Sequence, residues 1–305
     1  MVRENLIVLR NDCYKIEDTY LKLPKGLKLR IKGEPKWHGK QGRLEVTYDE
    51  VDEVWRGFMA IKVEEPPKKG GSRSLYIDLG VRCLAAVWCE GMRQPIAFRG
   101  GEPLFDWWYW TGRMAREQSR TAKVNGAKTS KKLRGLFRIR QRRFRHAVNA
   151  MVKAIVEDAY RLGVSRIVLG NLKGIRENNH SRNVNSMINN FWSFEYIVRR
   201  LKEKAEEYGI KVEEVSEYKA SSICPRCGSD RTIKRGRLFK CLNCGLEAHR
   251  DAVGVLNIGY LQGEGSVNGV VAHPLLLRWD GMMWEPKRAM NTRPMKTLEA
   301  GIPRL

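Results

Sequence analysis

The chain has 305 residues, of which 57 are lysine or arginine and 34 are aspartate or glutamate, so its formal net charge is +23. A basic excess of this size indicates a polyanionic partner, either nucleic acid or an acidic lipid surface. The sequence contains no apolar run of membrane-spanning length, and the LIVL segment at residues 6–9 is too short for a signal peptide. We therefore expect a soluble, cytoplasmic protein that makes no use of a membrane and accompanies the nucleoid when it is bound to DNA.

The N-terminal part of the chain has the pattern of a β-rich domain. Residues 1–65 contain short alternating apolar runs separated by Asp, Pro and Gly. The basic segment 66–73 is predicted to be a linker. It is followed by the apolar strand SLYIDLG, which carries a single acidic residue, Asp78, and then by two further strands, RCLAAVWC and PIAFRG. Three cysteines lie in apolar surroundings and are expected to be buried thiols: Cys13, Cys83 and Cys89.

From about Pro103 to Gly163 the apolar residues follow helical spacing. A charged helix face is usually only solvated, but here the charges are almost all positive, with no interleaved Glu to pair with them. We therefore favour a helix that follows a phosphate backbone. The aromatic cluster WWYW at residues 107–110 could stack on bases, although core packing is the preferred interpretation. The predicted nucleic-acid contacts are Lys131, Lys132, Arg134, Arg138, Arg142, Arg143 and Arg145.

The remaining elements complete an α/β pattern. RIVLG is a short buried strand, an amphipathic helix follows an Asn-rich loop, and IKVEEVSE is a fifth strand. The order of strands and helices predicts an RNase H-like mixed sheet covered by helices on both faces, spanning residues 74–220 with a basic helical insertion. A last helix is expected at 248–262. Residues 263–305 lack periodicity and are predicted to form an irregular tail.

Two C-x₂-C pairs follow the fifth strand. Their spacing, with a glycine after each pair, is typical of a zinc ribbon in which four thiolates surround a structural Zn²⁺. Two disulfides are the alternative, but they require an oxidising compartment that nothing else in the sequence indicates. The predicted ribbon spans residues 221–247, and its ligands are Cys224, Cys227, Cys241 and Cys244.

The ordered combination of IDLGVRCLAAV, CPRC with CLNC, and HRDAVGVLNI resembles the TnpB family of transposon-encoded, RNA-guided DNA nucleases with a RuvC core. The likeness covers roughly residues 6–262, including LPKGLKLRIKG, whose domain would be wedge-like and bind nucleic acid. It implies a guide RNA, a double-stranded DNA target, and cutting that depends on Mg²⁺ or Mn²⁺. The residues that match the catalytic acids of the family are Asp78 and Asp251.

The sequence departs from the family pattern at the second RuvC motif. Gly170 stands where the family has a glutamate, and glycine cannot bind a metal ion. The best substitute for the missing glutamate is Glu217, at the end of the next strand. Neighbouring strands are about 4.8 Å apart, so a long Glu side chain there could reach metal ions held between Asp78 and Asp251. An ordinary exposed acid is the alternative for Glu217. The weaker candidates are Glu213, Glu214 and Glu177.

Three functional hypotheses follow. The first is an active RNA-guided endonuclease associated with transposition, with Asp78, Glu217 and Asp251 as metal ligands. The second is an RNA-guided binder or repressor whose nuclease is lost because of Gly170. The third is an inactive transposon remnant, while strand transfer by a transposase is the least favoured chemistry. Full-length members of the family carry an N-terminal recognition lobe that this sequence is expected to lack. The sequence leaves open whether the protein acts as a monomer or a dimer.

Overall fold

In the computed structural model, the described residues are 6–34, 38–64, 71–171, 194–216, 220–263, 270 and 273–286. The chain divides into two compact units. The small unit consists of residues 1–65 and 130–135, and the large unit consists of residues 66–129 and 136–305. None of the helices in the described ranges is long and apolar enough to cross a membrane.

The small unit is built from two antiparallel three-stranded sheets, which agrees with the β-rich pattern of its sequence. One sheet has the order β1-β5-β6 and the other has the order β2-β3-β4. Tyr14, Leu21 and Leu44 form its buried core. The strands are β1 (Leu6–Leu9), β2 (Lys15–Glu17), β3 (Tyr20–Lys22), β4 (Lys28–Arg30), β5 (Lys40–Asp49) and β6 (Val54–Lys62).

The large unit contains a seven-stranded mixed sheet and a separate three-stranded sheet. Its strands are β7 (Arg73–Leu79), β8 (Cys83–Cys89), β9 (Ile96–Arg99), β10 (Val164–Asn171), β11 (Lys211–Ser216), β12 (Thr232–Arg235), β13 (Leu238–Cys241), β14 (Glu247–His249), β15 (Leu275–Trp279) and β16 (Trp284–Pro286). The seven-stranded sheet has the order β11-β10-β7-β8-β9-β15-β16, and the smaller one has the order β12-β13-β14. Strand β8 is antiparallel to both of its neighbours, while β10 runs parallel to β7 and β11 runs parallel to β10.

Within the described ranges, four helices accompany these strands: α1 (Gly101–Asn125), α2 (Lys131–Arg161), α3 (Phe194–Glu206) and α4 (Arg250–Leu261). The predicted helical region therefore forms two helices. The break follows from local chemistry, since α1 ends at Gly126, whose φ of 62° is left-handed. The hydroxyl of Ser130 then accepts a hydrogen bond from the backbone N–H of Leu133 and caps α2.

The side chains of β7 show how the sheet is covered on both faces. Leu75 and Ile77 belong to the buried cluster that contains the apolar residues of α2 and α3. Tyr76 belongs to the opposite cluster, with Val253 and Leu256 of α4. Because residues two apart in a strand share a face, Asp78 lies on the α4 side.

The prediction of an irregular segment after residue 263 is wrong for part of it. Strands β15 and β16 extend the main sheet, with β15 parallel to β9 and β16 antiparallel to β15. Leu277 is buried there, and the indole N–H of Trp284 donates to the carbonyl of Ala147. Two strands of five and three residues are too short for a periodic pattern, and their partner β9 is remote in sequence.

Candidate functional site

Asp78 and Asp251 lie in one cleft of the large unit, at the end of β7 and the start of α4. The cleft has a volume of about 390 Å³, and both aspartates line it. Asp78 is the sixth residue of β7, and Asp251 is the second residue of α4. The fold therefore brings together two carboxylates that are 173 positions apart in the sequence (251 − 78).

A glycine makes this approach possible. Gly254 lies three residues after Asp251, and residues three apart are neighbours on a helix surface. A Cβ atom built on Gly254 would lie only 2.1 Å from Oδ2 of Asp78. The Asp78 carboxylate therefore occupies the space that any larger residue at position 254 would fill. The sequence contained this signal in the D-x-x-G spacing after His249, and the interpretation of the motif missed it.

Arg237 supplies a positive charge to the same cleft. Its guanidinium Nη1 lies 2.5 Å from Oδ1 of Asp251. The backbone carbonyl of Arg237 also accepts a hydrogen bond of 2.8 Å from the N–H of Arg250. Sequence analysis missed Arg237, because a lone arginine in a basic turn has no local feature that distinguishes it.

The helix start that carries Asp251 is held by His249. Nδ1 of His249 accepts a hydrogen bond from the backbone N–H of Asp251 at 3.3 Å, which caps α4. Burial lowers the pKa of His249 below its usual 6.5, against the raising effect of the Asp251 charge. Only a neutral imidazole has a ring nitrogen that can accept a hydrogen bond, so the lowered pKa and the cap are consistent with each other.

The thiol of Cys83 lies close enough to Asp78 and Asp251 for their negative charges to affect its pKa. Its thiol donates to the carbonyl of Ala85 at 3.2 Å and lines the cleft. Burial raises the pKa of Cys83 well above its usual value, and the charges of Asp251 and Asp78 raise it further. Cys83 and Cys89 are buried, as expected from the sequence, whereas Cys13 is only half-buried, so the expectation is wrong for Cys13.

The candidates for a third carboxylate are Glu213 and Glu214 on β11, Glu217 just after it in the sequence, and Glu177, which follows β10 in the sequence. Gly170 is buried on β10 in register with Val215, so this strand end carries no acid beside Asp78. Glu217 and Glu177 both lie outside the described residues. Among the weaker candidates, Glu213 pairs with Lys211 and Arg166.

Glu214 points away from the acid pair. It pairs with Lys202 of α3, whereas Val215 packs with the cluster on the α4 side. Strand alternation accounts for the difference, since adjacent residues of β11 face opposite sides of the sheet. Of the two glutamates on β11, Glu214 is therefore on the wrong face for the cleft.

The four ribbon cysteines form a compact sulfur cluster. All four Sγ atoms lie within 4.8 Å of one another. The Sγ atoms of Cys224 and Cys244 are 3.5 Å apart, and those of Cys227 and Cys241 are 3.6 Å apart. Disulfide sulfurs are about 2.05 Å apart, so these are free thiols. A tetrahedral zinc ion with bonds of about 2.3 Å separates its ligand sulfurs by about 3.8 Å, so the cluster fits Zn²⁺.

The two cysteine pairs lie in matching turns. The N–H of Gly228 donates to the carbonyl of Cys224 at 2.9 Å, and the N–H of Gly245 donates to that of Cys241 at 3.1 Å. Both glycines are left-handed, with φ of 70° and 71°. Glycine adopts this conformation without strain, which explains its position after each pair.

The thiols differ in acidity. Burial raises the pKa of Cys224 to about 12. Hydrogen bonds from the backbone of Ser229 and from the Asn243 side chain lower the pKa of Cys227 to about 6. A cation is needed to hold all four as thiolates at neutral pH, and that is what a zinc ion supplies when bound.

Asn257 joins α4 to the segment that enters the ribbon. Its side chain is buried, and its Nδ2 donates to the carbonyls of Ala220 and Ile223 at 2.5 and 2.7 Å. Ile223 directly precedes the first ligand, Cys224. One helix therefore carries Asp251 at its start and anchors the ribbon a turn and a half later.

Several of the predicted nucleic-acid contacts on α2 have acidic or aromatic neighbours. The acids come from distant parts of the sequence, so they do not stand at i,i+4 spacing on the helix. Arg145 lies over the ring of Tyr196, with 4.9 Å between its Cζ and the ring centroid. The carboxylate pairs are Lys131 with Glu53, Arg134 with Glu50, and Arg143 with Asp106. Lys132, Arg138 and Arg142 lie on the same helix.

The aromatic cluster at 107–110 is partly buried in the core and partly exposed to solvent. Trp107 is buried against Phe144, in agreement with core packing. Trp108 and Tyr109 are exposed. The helix geometry of α1 requires this division, because four consecutive residues cannot all face the core.

Two family models match the chain. The family described as a probable transposase, OrfB_IS605, matches residues 58–176, and the Cas12f1-like TNB domain matches residues 194–258. The first range contains Asp78, and the second contains the four cysteines and Asp251.

Curated relatives agree with these matches. The TnpB-like protein ORF457 of Acidianus two-tailed virus is 28% identical over 84% of this chain and 61% of its own length. The TnpB-like protein MJ0751 of Methanocaldococcus jannaschii is 31% identical over 39% of this chain and 42% of its own length. The chain thus spans about half of the length of these two relatives.

Solved structures show the same fold. The chain resembles a CRISPR-Cas12f ternary complex with a TM-score of 0.50 and 18% identity, over 72% of this chain and 45% of that one. It resembles a Cas12f1-sgRNA-target DNA complex with a TM-score of 0.53 and 17% identity, over the same shares. The fold is therefore a mixed α/β structure of the kind found in Cas12f. The two family models, the TnpB-like relatives and the Cas12f neighbours together support a TnpB-family protein.

We expect Cys241→Ser to abolish stoichiometric zinc binding, because three thiolates leave the tetrahedral shell incomplete. The matched control is Cys13→Ser, which removes a thiol of the small unit that lies outside the cluster. The measurement is the zinc content of the purified proteins by elemental mass spectrometry. One zinc per chain in Cys241→Ser would contradict the four-cysteine assignment.

We expect Gly254→Ala to displace the Asp78 carboxylate and to weaken Mn²⁺ binding by about tenfold or more. The control is Gly112→Ala in α1, where a Cβ would meet nothing within 4 Å. That control should bind Mn²⁺ normally and gain up to about 1 kcal/mol of stability from helix propensity. Mn²⁺ titration followed by electron paramagnetic resonance, together with thermal unfolding, distinguishes the two variants. If Gly254→Ala and Gly112→Ala bind Mn²⁺ equally well, the absence of a side chain at position 254 is not needed to position Asp78.

Proposed function

We propose that the protein is an RNA-guided, metal-dependent DNA endonuclease of the TnpB type, associated with a transposon. The observation that carries the proposal is the convergence of Asp78 and Asp251 in one cleft. Two carboxylates beside an arginine form a donor set that suits a hard cation and a phosphodiester. Family membership and the likeness to the Cas12f fold support the same conclusion.

The order of the strands supports an RNase H-like, RuvC-type core. Reading across the sheet, β9, β8, β7, β10 and β11 are neighbours, and β8 alone among these five runs opposite to the others. The proposed catalytic acids lie on the central strand β7 and on the last helix α4. The ribbon lies in the chain between β11 and α4, which is the position of an inserted module.

The domain boundaries are part of the proposal. Residues 1–65 would be a wedge-like, nucleic-acid-binding domain, since they form most of the small unit. Residues 74–220 would be the nuclease core, residues 221–247 the ribbon, and residues 248–262 the last helix of the core. The later strands β15 and β16 add to the edge of the same sheet.

We propose Asp78, Glu217 and Asp251 as the ligands of Mg²⁺ or Mn²⁺. Glu217 is two residues beyond Val215, which is in register with Gly170 and packs on the α4 side. Alternating residues of a strand share a face, so this spacing favours Glu217 over Glu214. When bound, the metal would activate a water molecule and stabilise the charge that develops on the cut phosphate.

The protein's own residues would prepare that chemistry. Gly254 leaves room for the Asp78 carboxylate, and the His249 cap fixes the start of the helix that carries Asp251. Arg237, already at 2.5 Å from Asp251, would bind an oxygen of the phosphate and hold the substrate in the cleft. The zinc ribbon would be structural, and it positions Arg237 through the turn before β13.

The proposed partners are a guide RNA and a double-stranded DNA target. Base pairing with the guide would select the target, while basic side chains would bind the phosphate backbones. One of the solved neighbours is a complex of Cas12f1 with an sgRNA and a target DNA, which supports the assignment of both partners. On α2, the exposed Arg142 and Arg145 are candidates for such backbone contacts.

One observation favours a second candidate function. Gly170 leaves the end of β10 without a carboxylate, at the position beside Asp78. If Glu217 does not replace it, the site holds two acids and the protein would bind guided targets without cutting them. Such a protein would act as an RNA-guided repressor.

The test is a cleavage assay with purified protein, co-purified RNA, a matching DNA duplex and Mg²⁺. We expect the wild type to cut, and Glu217→Gln to cut about 100-fold more slowly or not at all, because an uncharged amide is a poor Mg²⁺ ligand. Glu214→Gln is the matched control, since it makes the same chemical change at a β11 residue that pairs with Lys202 and faces away from the cleft, and it should cut normally.

Other outcomes reject parts of the proposal. If Glu217→Gln cuts as fast as the wild type, Glu217 is not a ligand. If the wild type binds the duplex and does not cut it, the repressor function is correct and the nuclease function is wrong.

A further inference from the structure

A second cavity, of about 330 Å³, adjoins the cleft of the two aspartates. The two cavities share Arg82, Cys83, Arg237 and Asp251, so they form one continuous groove. Its volume lies in the range of pockets that hold small organic ligands, about 300–1,000 Å³. Nothing in the proposed metal chemistry uses its far wall, which contains Arg99.

The backbone holds two arginines side by side in this cavity. Cys83, next to Arg82, is in register with Arg99 across the β8–β9 pair. The N–H of Gly100 donates to the carbonyl of Arg82 at 2.8 Å. A Cβ atom on Gly100 would lie 2.4 Å from the carbonyl oxygen of Val81, so the close approach of these two segments requires glycine at position 100. The backbone positions of the two arginines are therefore fixed at this end of the β8–β9 pair.

The charge of the cavity is positive. Three guanidinium groups line it, and Asp251 is the one carboxylate among its lining residues and is already paired with Arg237. Within the described part of the chain, no carboxylate pairs with Arg82 or Arg99. Neighbouring like charges repel unless an anion lies between them, so this arrangement favours an anionic ligand.

The remaining walls of the cavity are apolar. Ala97 and Leu276 come from the neighbouring parallel strands β9 and β15, and Leu104 comes from the first turn of α1. An anionic group with an attached ring would place its charge at the arginines and its ring against these walls. A nucleotide has this division, whereas inorganic phosphate or a simple acid would leave the apolar walls uncovered.

We propose that this cavity binds the nucleotide next to the cut phosphate, with the phosphate of that nucleotide between Arg82 and Arg99. The proposal rests on the proposed nuclease function and names a subsite for it. The strand would enter the groove single-stranded, because both walls of the cavity would contact one nucleotide. Arg82 and Arg99 would therefore be positioning residues that set how the strand lies across Asp78 and Asp251.

The experiment uses the full chain and a fluorescein-labelled single strand of twelve thymidines, without added divalent metal, so that binding is measured apart from cutting. Fluorescence anisotropy at several salt concentrations gives the affinity and its salt dependence. The variants are Arg82→Gln and Arg99→Gln. The matched control is Arg93→Gln, in the exposed turn at the other end of the β8–β9 hairpin. Thermal unfolding checks that all variants are folded.

We expect Arg82→Gln and Arg99→Gln each to bind about fivefold to tenfold more weakly than Arg93→Gln, with a salt slope smaller by about 0.7, the value for one lost phosphate contact on a single strand. If all three variants lose affinity equally, general electrostatic attraction explains the binding and the subsite is refuted. Absence of wild-type binding refutes it as well.

The experiments can reject the nuclease function and the nucleotide subsite independently of each other. A wild type that never cuts but shows the selective loss for Arg82→Gln and Arg99→Gln retains the subsite and rejects the nuclease. A wild type that cuts, while Arg99→Gln and Arg93→Gln bind and cut alike, retains the nuclease and rejects the subsite.

Discussion

The candidate site depends on the contact between the Asp78 carboxylate and the gap at Gly254. A side chain at position 254 would meet Oδ2 of Asp78 at 2.1 Å, so only glycine lets β7 and α4 approach this closely at that point. Asp251 lies about one helical turn before Gly254 on α4, so the same contact also fixes the position of Asp251 relative to Asp78. The acid pair is therefore a consequence of how helix α4 packs on strand β7.

Helix α4 also connects the acid pair to the cysteine cluster. Asn257 binds the carbonyls of the segment that enters the ribbon, and the ribbon returns to the start of α4 through His249. The ribbon also carries Arg237, whose guanidinium group forms an ion pair with Asp251. Four thiolates held by zinc would keep this small insert folded, since its own core is limited to a few residues such as Phe239 and Leu246. Loss of zinc would then disturb the cleft as well as the ribbon.

Much of this organisation could be predicted because it is local. The strand that carries Asp78, the helix that carries Asp251, and the two cysteine turns each have a pattern within about ten residues. The features that were missed depend on contacts between distant segments. Gly254 matters only beside Asp78, Arg237 only beside Asp251, and the late strand Leu275–Trp279 only beside β9. The carboxylates that pair with α2 were missed for the same reason.

The charge distribution of the groove follows from these distant contacts. A carboxylate pair at its centre would repel a nucleic acid strand. The guanidinium groups of Arg82, Arg99 and Arg237 oppose that repulsion from the walls. A cation bound between the acids would reverse the sign at the centre as well. In this account, metal and arginines act together, and neither alone suffices to hold a phosphate over Asp78 and Asp251.

The most direct test of this account is a crystal structure of the protein soaked with Mn²⁺, with the anomalous signal of manganese used to locate the ion. We expect manganese to be bound by carboxylate oxygens of Asp78, Asp251 and Glu217, at metal–oxygen distances of about 2.1 Å. Zinc at the four cysteines would serve as the internal reference. An ordered cleft with zinc in the ribbon, but without manganese between Asp78 and Asp251, would show that the two aspartates do not form a metal site.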